Sequence, residues 1–144
     1  MGKKEIQENA YRYFVSGYHC AESIARAVIE SQSDNFDPES IKAASAFQGG
    51  IGKCKQDACG ALTGGIVALG VLKGRTDPAQ DISEAVRMAN QFRERFMEKF
   101  GSTNCAVLLK TVVDPNPEYT CKHLTRDAAG LLADVIEGES KSNR

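Results

Sequence analysis

Residues 77–101 read DPAQDISEAVRMANQFRERFMEKFG. Ala85, Ala89, Phe92, Phe96 and Phe100 recur at spacings of three and four, which puts them on one face of a helix, with charged residues between them. Asp77-Pro78, followed by Gln80, predicts the start, since an Asp cap, a proline in the first turn and a side-chain acceptor three residues on satisfy the first free N–H groups. Lys99 suits the last turn and Gly101 predicts the stop. One long amphipathic helix is therefore expected here, and it needs other helices to cover its phenylalanines.

The neighbouring segments supply them. Residues 58–72 form an uncharged stretch of fifteen residues between Asp57 and Lys73. That is short of the about 20 needed to span a bilayer, so a buried helix from about Asp57 to Leu72 is expected rather than membrane insertion. Its Gly60, Ala61, Gly64, Gly65 and Ala68 make a strip of small residues that lets another helix come close, and tertiary packing must hold so glycine-rich a helix. Upstream, Ile6, Ala10, Tyr13 and Phe14 mark a first helix stopping at Gly17, and Cys20, Ile24, Ala27 and Val28 mark a second. Asp37-Pro38 opens a third that runs toward Phe47 and ends at Gly49-Gly50. Downstream, Cys105, Leu108, Leu109 and Val112 define a short sixth helix ended by the prolines of residues 114–117. Leu124, Ala128, Leu131, Val135 and Ile136 define a seventh. No segment alternates as a strand does, and there is no repeat or linker. The expectation is an all-α, single-domain compact bundle of six or seven helices over residues 1–138, with 139–144 a disordered tail.

Composition excludes several functions. With 18 basic and 19 acidic side chains in 144 residues the net charge is −1, which gives no general attraction to nucleic acid or anionic lipid. There is no tryptophan, and ten residues are Phe or Tyr, so a base-stacking platform is not expected. The amino-terminal MGKKEIQENA has no apolar signal-like run, and Ile6 stands where a myristoylation start wants Ser or Thr. A cytoplasmic location is expected. In a reducing compartment five cysteines, an odd number, do not suggest a structural disulfide framework.

The cysteines are Cys20, Cys54, Cys59, Cys105 and Cys121. No C-x-x-C dithiol, zinc-ribbon pair or haem-attachment motif is present. Four of them fall near expected helix starts: Cys20 after Gly17, Cys59 after Asp57-Ala58, Cys105 after Ser102-Thr103-Asn104, and Cys121 after Thr120. The free N–H groups and partial positive charge there favour a thiolate or an anionic cluster. The competing reading is plain core cysteine, since Cys20 and Cys105 are in phase with apolar stripes. His19 and His123 lie beside or near cysteines and read as surface or capping residues. Gly49-Gly50-Ile51-Gly52 follows no strand, so a dinucleotide fingerprint is not expected.

The run Cys59-Gly60-Ala61-Leu62-Thr63-Gly64, read as C-G-A-x-x-G, resembles the signature of the C_GCAxxG_C_C family of redox-active proteins. That family resembles this chain in size, with one cysteine well before the signature and two after it, matched here by Cys20, Cys105 and Cys121. Gly49-Gly50-Ile51-Gly52 before it and Gly70, Gly74 and Arg75 after it also resemble the family's surroundings. Cys54 lies outside the four-cysteine pattern. The resemblance implies a redox role and supplies no substrate or redox partner.

The leading expectation is a thiol-redox protein, a candidate thiol oxidoreductase, whose Cys20, Cys59, Cys105 and Cys121 converge on one site for thiol–disulfide exchange or electron transfer. The first alternative is a Cys₄ metal site on the same four residues, an iron–sulfur cluster ahead of zinc. The second is a helical interaction module without chemistry, whose small-residue strip and Phe-rich stripe serve a partner or a homo-oligomer. Gly60 leaves room beside Cys59 for a partner thiol, disulfide or cluster, and Cys59 is expected to be the reactive sulfur, uncovered by that glycine and favoured by its helix start. Cys20 and Cys105 are expected to react more slowly, and Cys54 is a candidate accessory or resolving thiol. No nucleic-acid binding is expected.

Overall fold

A computed structural model describes the backbone of residues 1–142 and the side chains of residues 1–138. Its helices are α1 (Lys3–Val15), α2 (Cys20–Gln32), a 3-10 segment (Pro38–Phe47), α3 (Gly60–Lys73), α4 (Ser83–Phe100), α5 (Cys105–Leu108), which passes into a π turn (Leu109–Val113), and α6 (Cys121–Ser142). No strand occurs among the described residues, so the all-α expectation stands. The tail expected at 139–144 falls where α6 continues to Ser142 and where residues 143–144 lie outside the described residues.

α2 is the central element. Ala21, Ser23, Ile24, Ala25, Ala27, Val28 and Ile29 are all buried, so it is covered on nearly every side, by α1, α3, α6 and the 3-10 segment. The glycine strip does what its small size allows. A Cβ at Gly64 would overlap the backbone of Ala21, so α2 and α3 touch main chain to main chain. At Gly65 a Cβ would meet the ring of Phe92 at 2.5 Å, which seats α4 against the next turn of α3. Phe92, Phe96 and Phe100 stack along α4, with the rings of Phe96 and Phe100 4.8 Å apart. Gly101 ends α4 at φ 82° with its N–H bonded to Met97 O at 2.8 Å, as expected of a left-handed cap.

Two boundaries differ from expectation. α4 opens at Ser83, not at Asp77-Pro78. Asp77 Oδ1 accepts the Ala79 N–H at 2.8 Å, and Gln80 Oε1 accepts those of Thr76 and Asp77 at 2.9 and 3.2 Å, so these residues close a turn of their own. Asp81 then makes the helix start, accepting the Ser83 N–H and hydroxyl at 2.9 Å each. The third segment begins at Pro38 beneath an Asp37 cap as expected, but winds as a 3-10 helix. Its inward residues, Ile41, Ala44 and Phe47, recur every third position, which lines them up in a helix of three residues per turn.

After this segment the chain turns left-handed. Gly49, Gly50, Ile51, Gly52 and Lys53 all have φ between 57° and 72°. Ile51 at φ 72° is uncommon for a β-branched residue, and the hydrogen bonds Lys53 N–H to Gln48 O (3.0 Å) and Lys55 N–H to Gly49 O (2.8 Å) hold the turn. The following residues run antiparallel to the approach of α5, with Ala58 paired to Asn104. Cys59 N–H donates to Thr103 O at 2.7 Å and Cys105 N–H to Asp57 O at 2.8 Å. That short ladder sets the starts of α3 and α5 side by side.

Candidate functional site

Each of the four signature cysteines stands at a helix start. Cys20, Cys105 and Cys121 are the first residues of α2, α5 and α6, and Cys59 is the cap of α3. The local reasons differ. Glu22 reaches back to accept the His19 N–H at 3.3 Å ahead of α2. The Asn104 side chain accepts the Val107 N–H at 3.1 Å ahead of α5 and donates to Gln56 O at 2.6 Å, tying this start to the loop before α3. His123 Nδ1 accepts the Thr120 N–H at 3.0 Å at the start of α6, which is the capping role expected of that histidine.

These four starts meet. Cys20, Cys59, Cys105 and Cys121 all line one cavity of about 50 Å³, closed by Gly49, Gly60 and apolar side chains of α5, the π turn and α6. Gly60 has the part expected of it. A Cβ there would overlap Cys20 Sγ, so this glycine admits a second sulfur beside Cys59.

The same contact overturns the expectation that Gly60 leaves Cys59 uncovered. The space goes to Cys20, not to solvent, and Cys59 is only 9% exposed, the single buried cysteine of the five. Cys20, Cys105 and Cys121 are partly buried and Cys54 is exposed.

Electrostatics follow burial. Main-chain groups at Gly49, Ala21 and Gly60 lower the Cys20 pKa, and those at Ala61 and Leu62, in the first turn of α3, lower that of Cys59, so the expected helix-start effect is seen at two of the four cysteines. Desolvation is the larger effect at all four sites. Burial, and then the neighbouring Cys20, pushes the Cys59 thiol up to about 12. Burial likewise raises Cys105 and Cys121, where the charge of Cys20 adds to the effect and the Lys55 ammonium opposes it. Cys20 thus stands within electrostatic reach of the other three. Lys55, overlooked in the sequence, acts on two of these sulfurs, and its place after a glycine-rich run was the available signal.

All five cysteines are free thiols. The four have the right chemistry for a thiolate-bound metal, yet no three His, Cys, Asp or Glu side chains among the described residues are grouped so as to hold an ion. No helix among them is long and apolar enough to cross a membrane.

In this all-helical protein, cysteines from four helix starts are gathered around one small apolar cavity. The chain is a member of the C_GCAxxG_C_C family, described as "Putative redox-active protein", whose family model matches residues 18–135. In that name glycine precedes the second cysteine, whereas here Cys59 precedes Gly60. No curated protein and no solved structure matches the chain.

Proposed function

We propose that this protein carries reducing equivalents as thiol–disulfide pairs formed among Cys20, Cys59, Cys105 and Cys121, with Cys20 as the shared member. The observation that supports this best is the common cavity lined by all four. Cys20 sits in the notch of Gly60 next to Cys59, and its charge acts on Cys59, Cys105 and Cys121 alike. Two thiols closing to a disulfide release two protons and two electrons, and an external disulfide that accepts them leaves as two thiols. The apolar wall keeps competing water and bulky nucleophiles from the bond once formed.

The test is oxidation of the anaerobically purified, fully reduced chain in a defined thiol–disulfide buffer, followed by alkylation and peptide mapping. The expected product is a disulfide linking Cys20 to Cys59, Cys105 or Cys121, reversible on reduction. A chain that keeps four free thiols across the accessible range of potentials refutes the reading. Visible absorption together with stoichiometric iron or zinc in the same preparation would replace it with the Cys₄ metal reading.

A further inference from the structure

We propose that Cys54, outside the four-cysteine signature, is the thiol that meets an external disulfide and passes the bond inward to Cys105. This rests on the thiol–disulfide reading above and adds the route by which a buried cluster reaches its partner.

Placement carries the inference. Cys54 is exposed, whereas Cys105, Cys20 and Cys121 are half-buried and Cys59 is closed off. Cys54 and Cys105 flank the same residue, Gly50. The Cys54 thiol donates to Gly50 O at 2.9 Å, and a Cβ on Gly50 would come within 2.6 Å of Cys105 Cβ. Only a glycine allows Cys105 to lie so close to the left-handed turn that delivers Cys54. The residues just after Cys54 are tied to the start of α5, by Cys105 N–H to Asp57 O at 2.8 Å and by Asn104 Nδ2 to Gln56 O at 2.6 Å. Gln56 N–H points at Cys54 Sγ from 3.4 Å, and Asp57 Oδ2 lies 3.9 Å from that sulfur. The charge of Cys54 acts on Cys105, and Lys55 beside it favours the Cys105 thiolate, as the inward step requires.

The chemistry balances in three exchanges. Cys54, having given its proton to solvent, attacks one sulfur of an external disulfide. The external S–S bond breaks and one thiolate leaves, taking up a proton. Cys105, deprotonated in turn, attacks Cys54 Sγ, expels the second external thiolate and forms a Cys54–Cys105 disulfide. Cys20 then attacks Cys105 Sγ, releasing Cys54 as a thiolate that regains a proton and leaving a Cys20–Cys105 disulfide in the cavity. Two protein thiols have lost two electrons and two protons, and one disulfide has become two thiols.

The probe is 5,5′-dithiobis(2-nitrobenzoate), added to the fully reduced full-length chain while release of its coloured thiolate is followed. Given one equivalent of the probe, the native chain is expected to release two equivalents of its thiolate rapidly and retain none. Cys54→Ser should slow the first release by about tenfold or more, because the remaining sulfurs are shielded. Cys105→Ser should keep the first release fast but trap one nitrothiobenzoate on Cys54, seen by peptide mass. An unchanged rate in Cys54→Ser, or no trapped adduct in Cys105→Ser, overturns the relay. Equilibrium oxidation of Cys54→Ser separates the two readings. A cavity disulfide formed to the same extent as in the native chain, with the first release unslowed, sinks the relay alone. Absence of any cavity disulfide in both chains sinks the thiol–disulfide reading, and the relay with it.

Discussion

Gly60→Ala gives the sharpest test of how the sulfurs are arranged. The new Cβ would overlap Cys20 Sγ and would sit 3.3 Å from both Ala21 N and Phe47 O, tighter than ordinary contact. Forcing a methyl group into a filled site costs about 1–3 kcal/mol. Alanine returns up to about 1 kcal/mol of helix propensity, and less at this first helical position. A net loss of about 1–2 kcal/mol is expected. The informative experiment is the double-mutant cycle with Cys20→Ala. With the sulfur gone, the largest overlap disappears and the two contacts at 3.3 Å relax by small shifts. In that background Gly60→Ala should be nearly neutral, a coupling of about 1–2 kcal/mol by denaturant unfolding under reducing conditions. Non-interacting sites add within about 0.5 kcal/mol. A coupling below that level would falsify the claim that Cys20 fills the space beside Gly60. Gly64→Ala is the control, because its Cβ strikes the Ala21 backbone, which no side-chain deletion relieves. It should cost more than Gly60→Ala and gain nothing from Cys20→Ala.

Other outcomes follow from the same geometry. Below its pKa of about 12, alkylation of Cys59 in the reduced native chain should rise about tenfold per pH unit without levelling off, and a plateau near pH 9 would show the sulfur to be solvated. The sign for stability is set by the same shift. The folded chain binds the Cys59 proton more tightly than the unfolded chain, so the stabilisation is complete below the ordinary value of 9.0 and is lost as pH rises toward 12. Urea titrations from about pH 8 to 10 should show a decline approaching 1.4 kcal/mol per unit for that thiol, which Cys59→Ala removes; a decline of the same size in Cys59→Ala would place its origin elsewhere. Phe96→Ala, which empties the centre of the α4 stack, should cost about 3–5 kcal/mol, and thermal unfolding within a degree or two of the native chain would contradict the core assignment. Asn104→Ala should cost about 1–2 kcal/mol and speed alkylation of Cys105, with Asn104→Asp between it and the native chain because it keeps the cap and loses the donor to Gln56; equal effects of the two would deny that bond a role.

The sequence carried the fold class wherever one local cue agreed with one period. Phe92, Phe96 and Phe100 recur at helical spacing, and Gly101 ends their helix, because no competing cue opposes either. Asp77-Pro78 carries every local cue of a helix start, yet its carboxylate closes a turn, and the Asp81 carboxylate bonds Ser83 where the helix begins. The 3-10 winding over Pro38–Phe47 was hidden for a related reason, since its period of three emerges only when Ile41, Ala44 and Phe47 find α2 and α3 to pack on. The four cysteines were legible as a set because each sits at a helix start, which is local information. Their relative exposure was not. Gly60 looks the same in sequence whether the room it leaves goes to solvent or to another sulfur, and only the packing of α2 on α3 gives it to Cys20.

Under the proposed thiol–disulfide function, that outcome sets what kind of redox device the cavity would be. A thiol and a disulfide are both neutral, whereas the thiolate that connects them is charged, and the apolar wall penalises only the charged species. Burial therefore leaves the oxidised and reduced states comparably housed while raising the barrier between them. At Cys20 and Cys59 main-chain groups reduce that barrier without abolishing it, since both thiols remain raised. A cluster working in the proposed way would hold its oxidation state against casual exchange and depend on a less buried sulfur for speed. Cys105 is the candidate among the four, being partly buried and under the influence of Lys55 without the Asp114 carboxylate that opposes it at Cys121. The consequence is measurable: Lys55→Gln should slow exchange at Cys105 and Cys121 at neutral pH while leaving the alkylation rate of Cys59 unchanged. Equal slowing at all three sulfurs would mean that Lys55 acts through the fold rather than through its charge.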